Sequence, residues 1–429
     1  MKQPFVGLIR PPHARTSGWS FVSIFLKSVM EPLHDEPVMQ SNNWHLLNLR
    51  SCCRRFTEGG VTAWCAKIAL QRFDMIDHKG HERGWSLYLL NWVPLGVLAL
   101  LLGFCLAVSS FSFEIESGLL AAVLTATTLI VWGHYMILRQ WGSRPAFVLV
   151  SIAQLELLFL LASPLTYIAA SADLPLQDAT LARWDQLLGL DWTAYYRFIT
   201  ARPTLVQYAY FFYAMITWPT MGVPIVLGLT KNYVRLQNFT MACILTVCVT
   251  AVVSSLIPAF GTYHQYGLPT GFSGFNATGY LVQLDRLPLV RDGTLRILNI
   301  SHLGGIITFP SFHAAAAVLA LWAFWGVWWM RPLSLITNVG MLMATPLLGG
   351  HYFVDVLAGV GFAALAIIVA KLIGERFFAA SGLPQAAPAA AAFDPAAVGG
   401  FRPLRPGRRL AHGAPWRAGG NRDALSEGG

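Results

Sequence analysis

Two short stretches of this chain carry residues able to do chemistry together: Phe309-Pro310-Ser311-Phe312-His313 and Gly349-Gly350-His351-Tyr352-Phe353-Val354-Asp355. A histidine four residues ahead of an aspartate shares a helix face with it. Asp355 can therefore hold one nitrogen of His351 and leave the other free and basic, fit to attack phosphorus. His313, on a neighbouring helix, can protonate a departing alkoxide and later take the proton of an incoming alcohol or water. Ser311, with Pro310 before it and an apolar helix after it, is a good N-cap. A helix start presents unpaired N–H groups and a partial positive charge, which suits an anion and phosphate above all. Gly349 and Gly350 permit close backbone approach ahead of the next helix. The sequence thus predicts two helix N-termini aimed at one pocket.

Those residues sit in a strongly apolar chain. Hydrophobic residues make up 55% of it and charged residues only 12%, half of what a soluble domain carries, and the mean hydropathy is +0.52. The apolar residues come in blocks of about 20, the length that crosses a bilayer as helix. The expected class is an all-α polytopic membrane bundle of about eight spans, over 87-109, 118-138, 146-170, 205-229, 238-259, 311-330, 333-348 and 352-374. Residues 1-85 are polar, with no secretory signal peptide, and are expected to be mostly disordered or peripheral. Residues 86-376 form the expected catalytic domain, and 377-429, rich in Ala, Pro, Gly and Arg, a disordered basic tail. The cysteines show neither metal spacing nor a disulfide framework.

Loop charge sets the orientation. Arg139 and Arg144, Lys231 and Arg235, Arg331, and the tail arginines fall on alternate loops, which predicts that they and both termini face the cytoplasm. His313, His351 and Asp355 then open from the extracytoplasmic face. The long connection 260-310 lies on that face too and could roof a site; it holds His264, Asp285, Arg286, Arg291, Asp292, Arg296 and His302. A lone histidine at a span end is often only interfacial, which applies to His264 and His302. Three ionisable groups of matching sidedness are hard to place in lipid by chance, which favours a site at His313, His351 and Asp355. Glu156 is expected to pair inside the bundle, and Trp322, Trp325, Trp328 and Trp329 to form an interfacial belt.

Pro310-Ser311-Phe312-His313 and His351-x-x-x-Asp355 resemble the second and third signature motifs of the type-2 phosphatidic acid phosphatase superfamily. The wording Phe-Pro-Ser-Phe-His-Ala-Ala and Gly-Gly-His-Tyr-Phe-Val-Asp-Val-Leu-Ala-Gly is most similar to its inositol phosphorylceramide synthase (inositolphosphotransferase) branch, and more distantly to sphingomyelin synthases. The resemblance covers about residues 145-375, strongly 300-362. It implies a six-helix core with about two extra N-terminal spans. It also implies His351 as the nucleophile that forms a phosphohistidine, Asp355 as its orienting group and His313 as the acid-base. The sequence departs from the superfamily in three places. Phe312 stands where glycine is usual. Ala344-Thr345 stand where Ser-Arg is usual, so a phosphate-binding arginine is missing. The first motif is absent: Arg144-Pro145 mimics its end, but Ile137 replaces the lysine and the loop charge puts Arg144 on the wrong face.

The substrate-binding candidates are Ser311, Gly350, Arg291, Arg296 and His264, the arginines as replacement phosphate ligands. The expected activity is a metal-independent lipid phosphohydrolase or phosphotransferase, with no cofactor, a lipid phosphate substrate, membrane lipids as surroundings and no nucleic-acid partner; the oligomeric state is left open. Two readings compete. One is a zinc hydrolase built from His313, His351, Asp355 and His264, whose ligand types suit zinc although no spacing demands it. The other is a non-catalytic lipid-binding or transport protein, although no internal repeat of the transporter kind is visible.

Overall fold

The computed structural model describes residues 61–139, 141–272 and 275–380. The expectations for residues 1 to 60 and for the tail beyond residue 380 lie outside the described residues. Almost everything described is helix. In chain order the helices are α1 (Val61–Val108), α2 (Ser117–Leu138), α3 (Ser143–Ala170), α4 (Asp178–Leu187), α5 (Trp192–Thr200), α6 (Pro203–Ala214), α7 (Thr217–Leu229), α8 (Tyr233–Leu256), α9 (Thr262–Tyr266), α10 (Thr278–Arg291), α11 (Phe312–Trp325), α12 (Arg331–Leu348) and α13 (Phe353–Ala380). Four two-residue strands complete it. β1 (Ser112–Phe113) pairs in parallel with β4 (Ile297–Leu298), and β2 (Gly271–Phe272) pairs antiparallel with β3 (Phe275–Asn276).

The all-α polytopic class stands. Among the described residues, five helical stretches are long and apolar enough to cross a membrane: Gly80–Val108 of α1, then α2, α3, α8 and α13. A sixth combines α6 and α7, bent by 53°. Pro219 and Pro224 lie in α7, and proline removes a helical hydrogen bond and forces a kink. The expected spans 311-330 and 333-348 become shorter or less apolar helices. α11 has 14 residues, about 21 Å of helix against a hydrocarbon core of about 30 Å. α12 buries Ser334, Thr337 and Asn338 on one face while Leu335, Ile336 and Val339 stand exposed on another. The apolar count in both windows is real; a broken path and a polar inner face are what it does not register.

The core runs through α3, α7, α8, α11 and α13, with Leu155, Leu158, Phe239, Ile244, Leu319, Phe324 and Ala363 buried together. In lipid, burial between helices gains little from the hydrophobic effect, so packing and interhelical hydrogen bonds matter more. Gln237 supplies one such junction: its Nε2 donates to Ser151 Oγ at 2.8 Å, and its Oε1 accepts from Asn91 Nδ2 at 3.0 Å. α8 is thereby stitched to α3 and α1.

The bundle has two unlike ends. At one, Arg235 on α8 donates to Ala323 O at 3.0 Å and lies 4.5 Å over the Trp322 ring. Arg331 donates to Trp325 O beside it at 3.0 Å. Trp325, Trp328 and Trp329 are exposed there. α11 runs from this end to the other, where α4, α5, α9 and α10 form a cap held by a second aromatic core of Trp192, Tyr196, Tyr263 and Tyr280.

Candidate active site

Two helix starts meet beneath that cap. Ser311 is the N-cap of α11, its Oγ accepting from Ala314 N at 3.4 Å, and its own N–H donates to the Asp355 carbonyl at 3.0 Å. The Phe309–Pro310 bond ahead of it is cis. The turn into α13 relies on two glycines. Gly350 has a φ of +64°, and a Cβ there would stand 2.5 Å from the Tyr280 ring. A Cβ at Gly349 would stand 2.5 Å from His351 Cδ2, so only glycine lets the imidazole lie flat against this turn.

His351 Nδ1 lies 2.8 Å from the Thr308 carbonyl and 3.4 Å from Asp355 Oδ2. Both neighbours are acceptors, so Nδ1 carries the proton and Nε2 keeps its lone pair. Helical spacing assigns the orienting role to Asp355 alone; the nearer partner is the main chain of Thr308, 43 residues away along the chain. Asp355 is fully buried, and its Oδ2 also accepts from Tyr352 N at 2.8 Å. Thr308 is braced in turn. Its hydroxyl donates to Ala259 O at 2.7 Å, and Gln283 donates both to that carbonyl, at 2.8 Å, and to the Thr308 hydroxyl.

His313 is held differently. Its ring stacks on Tyr213 with centroids 4.2 Å apart and planes 9° from parallel, and it makes no side-chain hydrogen bond among the described residues. His313 and His351 open onto one cavity of about 400 Å³, together with Gly349, Gln283 and the strand-like stretch Leu303 to Ile307. The long connection does roof the site, but through Gly279, Val282, Gln283 and residues 303–307. Its charged residues point elsewhere.

Several sequence expectations are corrected by that placement. Arg291 pairs with Asp173 at 2.6 Å and donates to Leu174 O at 2.9 Å. Arg296 donates to Val290 O at 2.8 Å and lies 4.6 Å over the Phe111 ring. His264 is exposed and packs edgewise on Phe260. None of the three lines the cavity, and neither does Ser311, whose hydroxyl is committed to its cap. Among the described residues no lysine or arginine lines it. Glu156 is partly buried on α3 without an ion pair among the described residues.

The start of α13 is also not an open anion site. Asp185 on α4 accepts from Phe353 N at 2.9 Å and Val354 N at 2.8 Å, while Asp355 takes Tyr352 N. Burial pushes the Asp185 carboxyl up, and the Phe353 and Val354 N–H donors pull the other way. About two turns earlier on α4, Asp178 accepts from Phe260 N at 2.9 Å, Gly261 N at 2.7 Å and the Tyr352 hydroxyl at 2.9 Å. Burial and Asp178 both push the Tyr352 phenol up, which keeps it a donor. By type alone, neither Asp178 nor Asp185 stands out in the mixed-charge stretch between α3 and α6. Their seven-residue spacing puts both on one face of a short helix and was the available signal. Thr308, Gln283 and Tyr213 carried no comparable signal.

Two imidazoles thus face one cavity, one in the Pro-Ser-x-His helix start and one in the His-x-x-x-Asp helix start. Residues 179–369 match the family model of the PAP2 superfamily. No curated protein and no solved structure gives a match to the chain. The PAP2 match begins within α4 and ends within α13, somewhat less than half of the chain, and it contains His313, His351 and Asp355. Over that segment the chain is similar to the PAP2 superfamily. Asp185 lies near the head of the matched segment and Asp178 one residue ahead of it, and α3, which supplies one wall of the cavity, lies outside it.

Proposed function

We propose that this protein transfers a phosphoryl or phospho-headgroup between lipid substrates, or to water, through a phosphohistidine on His351. The observation that carries the reading is the pair of imidazoles on one cavity, one of them with its Nδ1 proton committed to Thr308 and Asp355. In the first step His351 Nε2 forms a bond to phosphorus and the P–O bond to the leaving alcohol breaks, the proton of His313 going to the departing oxygen. In the second step His313 takes the proton of the incoming alcohol or water, whose oxygen attacks phosphorus as the P–N bond breaks. His351 and His313 end as they began. Asp355, 3.4 Å from Nδ1, stabilises the positive charge that His351 gains in the intermediate.

The choice between substrates follows from charge. A phosphomonoester dianion in a cavity without lysine or arginine among the described residues would lack a counter-charge in a low-dielectric site, which is costly. A phosphodiester carries a single negative charge. That favours a diester phospholipid as donor and headgroup transfer as the net reaction, in line with the inositol phosphorylceramide synthase-like wording of the motifs. The end bearing Arg235 and Arg331 lies opposite the cap, which supports an extracytoplasmic site with both termini cytoplasmic.

The zinc reading has less support. Among the described residues no group of three or more His, Cys, Asp or Glu side chains converges to hold a metal. His264 packs on Phe260 away from the cavity, and His351 Nδ1 already has its acceptors. The test is an assay of purified protein with phospholipid, following phosphate release against headgroup exchange with and without chelator. Acid-labile phosphohistidine that is trapped in the wild type and missing from His351→Ala supports the proposal; activity lost to chelator and restored by zinc would reject it.

A further inference from the structure

The cavity continues well below the histidines. Its lining positions run from Thr166 down to Leu155 on α3 and from Thr250 down to Phe239 on α8, about 16 Å along each helix at 1.5 Å per residue. α11 lines it from His313 down to Leu319. Ala162, Val247 and Ala316 wall the lower part, and Leu155, Phe239 and Leu319 close it. Those last three belong to the main buried core, so the floor is fixed by packing from three helices. The polar groups lie high: His313, His351 and Gln283, with the Thr166 hydroxyl turned back onto Ser163 O at 2.7 Å. Below them the surface is apolar.

The shape narrows the ligand. A cavity of about 400 Å³ that extends about 16 Å along the helices has room for an extended chain. Left empty, it would forfeit packing contacts along every wall in an interior that is otherwise close-packed. It offers no partner to a polar group in its lower part, so water gains little there. A flexible aliphatic chain meets all of these conditions, and a bore of this depth takes on the order of ten methylenes.

We propose that this lower chamber holds one aliphatic chain of the substrate lipid inside the helix bundle, and that Leu155, Phe239 and Leu319 limit the length it accepts. The inference rests on the phosphotransfer reading of the two histidines, since the polar end of the same lipid would then lie at His351. It adds that one chain leaves the bilayer for the protein interior and that chain length is sensed there. α3, outside the matched family segment, becomes part of substrate selection.

Two measurements test it. Phosphodiester lipids of graded chain length are assayed with the wild type, Ala316→Leu and Leu319→Ala. Ala316→Leu narrows the bore and is expected to lower the long-chain to short-chain turnover ratio at least about fivefold; Leu319→Ala deepens the floor and shifts the preferred length upward by a few carbons. Independently of turnover and of any variant, a phospholipid with a photoreactive group at the end of one chain is crosslinked to the wild type. Crosslinks on the α3, α8 and α11 floor peptides are expected. Crosslinks confined to outward positions such as Val252 and Leu256, with an unchanged length ratio, would overturn the chain site while leaving the phosphotransfer reading intact. Floor crosslinks in a wild type that turns over no phospholipid would support the chain site and reject that reading.

Discussion

The two imidazoles of the cavity are anchored in opposite ways. His351 sits in a glycine turn, its Nδ1 shared between Thr308 O at 2.8 Å and Asp355 Oδ2 at 3.4 Å. His313 sits in the first turn of α11 and is held by its face, stacked at 4.2 Å on Tyr213. The difference matches what each role requires. A nucleophile needs one fixed tautomer so that a lone pair always points at phosphorus, and hydrogen bonds to two acceptors enforce that. An acid-base must gain and lose a proton without losing its place, and a stacked ring is held whatever its nitrogens carry. The anchoring of His351 reaches far: Thr308 is braced by Gln283, and the turn itself by Asp178 and Asp185 on α4.

The most direct way to break the comparison is to remove the fixed ring. His351→Ala is expected to lower turnover at least about a thousandfold with near-normal protein level, as loss of a nucleophile does. If turnover survives, the hydrogen-bonded imidazole is not the nucleophile. His313→Ala should cost about a hundred- to ten-thousandfold, and the phosphohistidine on His351 should still form with substrates whose leaving group needs no proton. Failure to trap it with such a substrate would erase the distinction between the two rings.

Smaller effects sharpen the comparison. Asp185→Ala leaves the Phe353 and Val354 N–H groups without their acceptor and should destabilise the protein by about 2–4 kcal/mol. Its kcat should fall about tenfold or more through a loosened His351 turn, with KM little changed; Asp185→Glu is the rescue variant. A loss of stability with unaltered kcat in the surviving protein would reduce Asp185 to scaffolding. Tyr213→Phe keeps the aromatic face and should keep the rate, while Tyr213→Leu should lower kcat about tenfold and shift the pH profile of kcat. Equal behaviour of the two variants would show that stacking does not position His313. The smallest effect belongs to Arg296→Ala, which removes a cation–π contact with Phe111 worth about 1 kcal/mol. It should lower thermal stability slightly and leave KM unchanged; a large rise in KM would return Arg296 to the substrate.

The cap and the bundle also divide what was legible in the sequence. Apolar blocks announced the bundle because lipid tolerates little else. At α11 and α12 the blocks concealed a helix only 14 residues long and another that buries a polar face. Hydropathy averages over a window and cannot see which side of a helix is buried. In the cap, arginines and a histidine were promising by type, yet each found a local partner first: Arg291 with Asp173, Arg296 with Phe111, His264 with Phe260. Residue type shows what a group can bind, while its reach is set by where the fold points it.

By itself the sequence determined an all-helical membrane class, a Pro-Ser-x-His helix start whose serine caps its own helix, and a histidine four residues from an aspartate. These are local consequences of hydropathy, capping and helical periodicity. The partner of His351 Nδ1, the stack under His313, the carboxylates that fill the start of α13 and the deep apolar bore were decided only in three dimensions. Each joins residues distant in the chain, and no local rule of composition or spacing constrains which backbone carbonyl or ring will arrive beside them.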